Sequence, residues 1–453
     1  MLEKESLRLL AEAVERLEAG FAALPASELD VPEKARMGEV LAAAAERLQD
    51  NYPYFHPMYA GQMLKPPHPV ARAAYALAQW INPNNHAMDG GRASSAMEKE
   101  AVAEIAKMFG WDAFLGHLCG GGTMANLEAL WVAEQIAPGK TILASDQAHY
   151  THGRISGVLQ LPFEAVASDA IGRMDIAALR ARVERGDVGT VVATMGTTAT
   201  GSVDGLAEIL ELREKFGFRI HADAAYGGYF VLAENLGGEA RRAFDHLAEV
   251  DSIVIDPHKH GLQPYGCGCV LFRDPGVGKF YKHDSPYTYF SSTELHLGEI
   301  SLECSRPGAA AVALWATQRL LPLDKGGEFA KGLEACRSAA LELHRKIEGD
   351  GRFVAAFEPE LDIVVFAPRA ESVSEASKRS REIFEAAARK NLHLAVAGLP
   401  VKFFEGKLGS MKRDQETMTC LRSVLMKPEH REWLERIWEA LVEAADATTK
   451  GLT

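Results

Sequence analysis

Long apolar runs are missing from this 453-residue chain, and no stretch approaches the roughly 20 apolar residues that a membrane-spanning helix needs. Basic residues are in deficit, 49 Lys and Arg against 62 Asp and Glu. The formal net charge of −13 argues against a nucleic-acid surface, which needs clustered cations to meet phosphates. It leaves an acidic small molecule open, because one local Arg can dominate a site whatever the global sign. Cysteine is scarce. The six, at 119, 267, 269, 304, 336 and 420, lack zinc-ligand spacing, and Cys267 and Cys269 fall in a strand-like run. We read them as mostly buried free thiols in a reducing cytoplasm, and we read no metal site. The first residues, with Glu3, Lys4 and Glu5, lack the basic start and apolar core of a signal peptide.

What is present describes an ordinary globular protein, 47% apolar and 25% charged, too long for one core. Leu10, Val14, Leu17 and Phe21 recur at helical spacing, so an N-terminal helix with one apolar face is expected. Pro25, Pro32 and the run Asn51 to Pro57 mark an extended, loop-rich passage. From about Met97 helices and strands alternate. Met97–Phe109 and Ala125–Ile136 read as helices, and Thr141–Ala144, Gly189–Thr194, Arg219–Ala222 and Ser252–Ile255 as strands. These strands are apolar without polar alternation, which suits a mostly parallel sheet covered on both faces. After Leu320 the pattern changes to long helices near 328–348, 374–390 and 429–447 around a strand at Asp362–Phe366. The expected divisions are 1–95, 96–325 and 326–453.

Two residues carry the chemistry. Lys259 follows the strand Ser252–Ile255, and Asp223 ends the apolar run beginning at Phe218. Adjacent parallel strands would bring both to the carboxyl edge of the sheet, where open α/β sheets bind ligands. A lysine amine can join an aldehyde, and an Asp can keep a pyridine nitrogen protonated, the two charges that pyridoxal phosphate requires. The turn Gly120-Gly-Gly-Thr123 opens a helix, so its amides suit a phosphate. Gly120-x-Gly122-x-x-Ala125, with Asp146 beyond, also satisfies a dinucleotide fingerprint, but that reading leaves Asp223 and Lys259 unexplained.

Around these residues the chain resembles the group II pyridoxal-phosphate-dependent amino-acid decarboxylases, of the aspartate aminotransferase fold type. The resemblance rests on Cys119-Gly-Gly-Gly-Thr-Met-Ala-Asn126, Ser145-Asp-Gln-Ala-His149, Ala193-Thr-Met-Gly-Thr-Thr198, His221-Ala-Asp223-Ala-Ala225, Asp256-Pro-His258-Lys259 and Ser305-Arg306-Pro. In order and spacing it runs from about residue 50 to about residue 430.

The resemblance implies an α/β fold: a large pyridoxal-phosphate-binding domain (fold type I) with a mostly parallel, seven-stranded-type sheet, plus a smaller α+β C-terminal domain. It also implies a homodimer, with the segment before residue 95 packing on the partner. Gly122 and Thr123 would meet the cofactor phosphate, and His149 would stack on the ring. Thr198 and Ala225 would border it, and Asp223, His258 and Lys259 would complete the cofactor set. Arg422 would hold the substrate carboxylate. A loop tyrosine, Tyr287 in preference to Tyr289, would supply the proton after carbon dioxide leaves, with His149 a second participant. Arg306 receives no role. Asp256 departs from the Asn of aromatic decarboxylases, and a carboxylate cannot donate to phosphate.

The activity implied is α-decarboxylation of an L-amino acid. Tyr52, Tyr54, Phe55, His56 and Tyr59 favour an aromatic substrate, whereas Asn84, Asn85 and His86 would equally meet an acidic one. The rivals are a carbon–carbon lyase of the sphingoid-phosphate type and a non-catalytic binding or scaffold protein that kept the fold. A cysteine desulfurase would need a mobile cysteine, for which Cys304 is poorly placed.

Overall fold

The computed structural model describes residues 3–25, 34–282 and 296–450. Seven strands among them form the main sheet: β1 (Leu115–Cys119), β2 (Thr141–Ser145), β3 (Phe163–Val166), β4 (Val188–Thr194), β5 (Arg219–Asp223), β6 (Ser252–Ile255) and β7 (Gly268–Phe272). Their order is β1-β7-β6-β5-β4-β2-β3. The five strands from β6 to β3 are mutually parallel, and β7 runs against both its neighbours. The sheet is therefore mostly parallel, as expected. Its central strands bury every residue of β2 and β6, which requires cover on both faces and explains their unbroken apolar sequence. The edge strand β3 is different: Glu164 on it is half-exposed and paired with Arg182, a charged edge that discourages pairing with another chain.

Register places the chemistry. Thr194 pairs with Asp223 and Asp223 with Val254, so the carboxyl ends of β4, β5 and β6 lie side by side. Cys119 at the end of β1 pairs with Gly268 at the start of β7, which brings the glycine turn to the same edge. The turn can come this close only because position 268 is glycine. A Cβ there would meet the Gly121 backbone at 2.5–2.9 Å. Gly121 itself has φ +143°, a conformation that L side chains rarely adopt.

A second, antiparallel sheet lies in the C-terminal part, with β8 (Phe353–Ala355), β9 (Ile363–Pro368), β10 (Ala395–Pro400) and β11 (Thr417–Val424) in the order β10-β11-β9-β8. Helices Glu328–Glu348, Val373–Arg389 and His430–Lys450 accompany it, within a residue or two of the expected spans except at the last C-terminus. One helix differs more. The segment expected from Met97 begins at Met88 and continues to Met108 across a break at Gly91 (φ −167°, ψ 62°), so the 95/96 division falls inside it. Among the described residues, no helix is long and apolar enough to cross a membrane.

Candidate active site

A cleft of ≈ 580 Å³ opens at the carboxyl edge of the main sheet, lined by the glycine turn, His149, Thr198, Asp223, Ala225, Asp256, His258 and Lys259 among others. The structure thus brings together every proposed cofactor contact in one cavity. Each arrives on a separate connection: Gly122 and Thr123 at the start of the helix after β1, His149 after β2, Thr198 after β4, Asp223 at the tip of β5, and Lys259 just past β6.

Asp223 is the electrostatic centre. Its Oδ2 accepts from His152 Nε2 at 2.8 Å and from Asn126 Nδ2 at 3.4 Å, and its Oδ1 accepts from the Ala225 amide at 3.2 Å. Burial works to raise its pKa. The hydrogen bond and charge of His152, the Lys259 charge and His221 more than reverse this, so the carboxyl is held well below the usual range. Asn126 is in turn fixed by His221, whose Nε2 donates to Asn126 Oδ1 and whose Nδ1 meets the Ser252 hydroxyl, both at 2.8 Å. Burial pushes the His221 pKa down to about 3, so at neutral pH this ring is an uncharged spacer.

Lys259 Nζ lies 3.1 Å from Asp256 Oδ2, and the His258 ring approaches the same oxygen at 3.6 Å. His258 Nδ1 donates to the Cys267 carbonyl at 2.8 Å, which orients the ring. His149 is half-buried and its pKa is lowered, mainly by burial, with Lys259 and His152 adding to the shift and Asp223 opposing it. Its Nδ1 accepts the Thr151 amide at 3.3 Å, so the neutral ring carries its proton on Nε2.

The glycine turn already handles an anion. The Gly120 amide donates to Glu303 Oε2 at 3.2 Å, and a Cβ on Gly122 would strike Asp256 Oδ2 at 2.7 Å. A helix N-terminus preceded by an amide that takes a carboxylate, next to a lysine and across from an ionised Asp, fits the three ends of pyridoxal phosphate. Asp256 Oδ1, buried without a hydrogen-bond partner, is the one element that fits a phosphate poorly.

Arg422 on β11 is buried behind the Thr198 turn. Its Nη2 donates to the Thr198 carbonyl at 2.7 Å, Nε to Ala199 at 3.0 Å, and Nη1 to Gly61 and to Gln62 Oε1. Arg306 belongs to another network, paired at 2.9 Å with the buried Glu98 and donating to Leu118. That makes it a brace for β1. Asn85, read as a possible substrate contact, is fully buried and bonded to Glu98 and Ser94, while Asn84 donates to Ser305. Tyr52, Tyr54 and Tyr59 pack on one another and on His393. Five of the six cysteines are buried, and Cys304 is exposed. Tyr287 and Tyr289 lie outside the described residues.

Sequence reasoning missed His152, Asn126 and Glu303. The signal for the first was available: His149-Tyr-Thr-His152 places a second ring in the same block, at the start of helix Thr151–Leu159.

Comparison with known proteins now bears on this geometry. The model of the pyridoxal-dependent decarboxylase conserved domain matches residues 124–369. An L-tyrosine decarboxylase of Enterococcus faecium is 29% identical over 392 residues, covering 64% of this chain and 64% of its own length. The chain therefore spans less than two thirds of that relative. A probable L-tyrosine/L-aspartate decarboxylase of Methanothermobacter thermautotrophicus is 28% identical over 71% of this chain and 86% of its own. Among solved structures, Oryza sativa TDC with PLP and tryptamine superposes with a TM-score of 0.79 at 18% identity, over 98% of this chain and 96% of that one. Mouse CSAD in apo form does so at 0.77 and 19%, over 98% and 99%.

Proposed function

This chain belongs to the pyridoxal-dependent decarboxylase family, and from that premise we propose that it removes the α-carboxylate of an L-amino acid, with an aromatic side chain favoured and an acidic one second. The observation that carries the proposal is the joint placement of Lys259 and the ionised, His152-bonded Asp223 on one cleft. Pyridoxal phosphate, when bound, supplies a ring that accepts the electron pair released as carbon dioxide departs.

The remaining work falls to the protein. Lys259 is the amine that would anchor the cofactor aldehyde. Asp223, held ionised, keeps a proton on the ring nitrogen, and His152 holds that carboxylate in place from behind. The Gly122 amide and Thr123 hydroxyl take the phosphate end. His149, neutral with its proton on Nε2, and Thr198 and Ala225 line the same cleft and would hold the ring between them. Arg422 is assigned to the substrate carboxylate, since a planar guanidinium matches two carboxylate oxygens. Arg422 does not line the cleft, and to reach a substrate its guanidinium would have to give up its bond to the Thr198 carbonyl. By holding the carboxylate, Arg422 would orient the bond that is to be broken. Cα then gains a proton, assigned to Tyr287 with His149 as second donor, and the products are the amine and carbon dioxide.

Two supports favour an aromatic substrate: the relatives named for tyrosine, and the tyrosines near residues 52–59. The aspartate in other relatives' names keeps the acidic class open. The proposal includes a cytoplasmic homodimer, with the segment before residue 95 on the partner, the large domain at 96–325 and the small one at 326–453. Exposed Leu7, Leu9, Met37, Val40, Leu41 and Leu48 on the first two helices support it, because apolar faces of this kind call for a cover.

The test is carbon dioxide release by the purified protein with added pyridoxal phosphate across the twenty amino acids, with Lys259→Ala alongside. Release from one class, lost by more than about 10³-fold in the variant, is expected. A protein that binds cofactor yet releases no carbon dioxide from any amino acid would overturn the decarboxylase reading.

A further inference from the structure

Asp362 immediately precedes β9 in the C-terminal sheet and is fully buried, and it reaches the cleft only through Tyr226, which lines it. Its Oδ1 accepts the Tyr226 hydroxyl at 2.5 Å, and its Oδ2 faces His260 Nε2 at 3.2 Å, a charge contact outside hydrogen-bond geometry. Tyr226 lies three residues beyond Asp223 and lines the cleft; His260 directly follows Lys259. The His260 ring packs edge-on against Tyr226 at 4.9 Å and against Phe230 at 5.0 Å, so its position is set by aromatic contacts as well as charge. We infer that Asp362 is a positioning residue, which ties the turn carrying Asp223 to the turn carrying Lys259 and fixes both from the C-terminal sheet.

The physical case has three parts. A buried carboxylate is costly unless hydrogen-bonded and charge-compensated, so a fully buried Asp at a seam between two sheets needs a purpose. A phenol donating to a carboxylate is among the stronger neutral-to-charged bonds, and its short length restricts the Tyr226 ring to one orientation. Finally, the carboxylate is electrostatically felt by Arg422 and by Lys65, so together with Glu429 it supplies negative charge to a seam that holds these cations. Burial would raise its pKa, but His260, Tyr226 and Lys65 together hold it below the usual range.

The inference rests on the assignment of Lys259 as the cofactor lysine, and the experiment separates the two. Asp362→Asn keeps the shape and removes the charge; Tyr226→Phe deletes one hydroxyl and serves if the first variant does not fold. Each is compared with the wild-type protein by thermal melt, visible circular dichroism of the bound cofactor, and separate kcat and KM. With a cooperative melt retained, the cofactor band should weaken. kcat should fall on the order of 10-fold or more, because misplacement by ~1 Å costs up to about 10²-fold, with KM within about 2-fold. A lowered melting temperature with band and kcat unchanged overturns the inference and leaves a core ion knot. If the wild-type protein itself shows no cofactor that borohydride fixes to Lys259, the assignment fails and takes the inference with it.

Discussion

Gly268→Ala adds one methyl group against the glycine turn at a position that does not itself line the cleft, and its effect can be worked from the structure. The new Cβ would lie 2.5 Å from the Gly121 carbonyl carbon, 2.6 Å from its Cα and 2.9 Å from its nitrogen. Ordinary contact needs roughly 3.5 Å or more, so one backbone must retreat by ~1 Å. β7 is held on both sides by β1 and β6, whereas the glycine turn projects from a strand end, so the turn moves. Overpacking of this kind costs about 1–3 kcal/mol of stability. The larger effect falls on the phosphate. Amide-to-anion hydrogen bonds contribute about 1.5–3 kcal/mol each, and a shift of that size forfeits much of one. Cofactor affinity should therefore drop roughly 10- to 100-fold. Equilibrium titration of pyridoxal phosphate followed by its absorbance gives that number, and denaturant unfolding of the apo protein gives the other. Unchanged cofactor affinity in a variant with the expected stability loss would refute the idea that the β1–β7 approach sets the phosphate cradle.

Two further outcomes follow from the site. His152→Ala removes the strongest bond to Asp223 and leaves the carboxylate with Asn126 and one backbone amide; activity should fall about 10²-fold with cofactor still bound, measured as kcat at saturating cofactor. For stability against pH, His221 and His430 are both buried with pKa values pushed down to about 3. Their stabilisation is complete above the unfolded value near 6.5 and is lost as pH falls towards 3, at about 1.4 kcal/mol per unit for each. Asp204, pushed up to about 7 by burial, works in the opposite sense: its contribution is complete below the unfolded carboxylate value and lost as pH rises through 7. Between pH 6.5 and 5 the two histidines against one carboxyl leave a net loss of about 1.5 kcal/mol, and Asp204→Asn should roughly double it. Denaturant midpoints at the two pH values read both numbers, and an unsteepened slope in the variant would sink the account.

Much of the fold was legible because its central strands are buried on both faces and so write apolar runs into the sequence. β2, β4, β5 and β6 were found this way. β3 was not, since it is four residues long with two exposed, and β8 has only three residues. The site was legible where one residue type has few alternative uses, as with a lysine after a buried strand or an Asp at a strand tip. His152 and Asn126 escaped because their purpose lies in a partner, Asp223, some 70 and 100 positions on. Arg306 received no role from sequence, and its ion pair with Glu98 could be seen only once residues two hundred positions apart were brought together.

The pairing of β1 with β7 has a consequence for how the protein is made. The strand that leads into the glycine turn is the first of its sheet to leave the ribosome, and the strand that seats it is the last. At ~5–20 residues per second, the interval between them is about 10–30 s. During that time the turn has no wall and β1 lacks its partner strand, and Asp223 and Lys259 are themselves added only in the last third of the interval. Pyridoxal phosphate is thus a ligand that only the finished sheet can capture, and a chain stalled before residue 268 should neither retain it nor be stabilised by it.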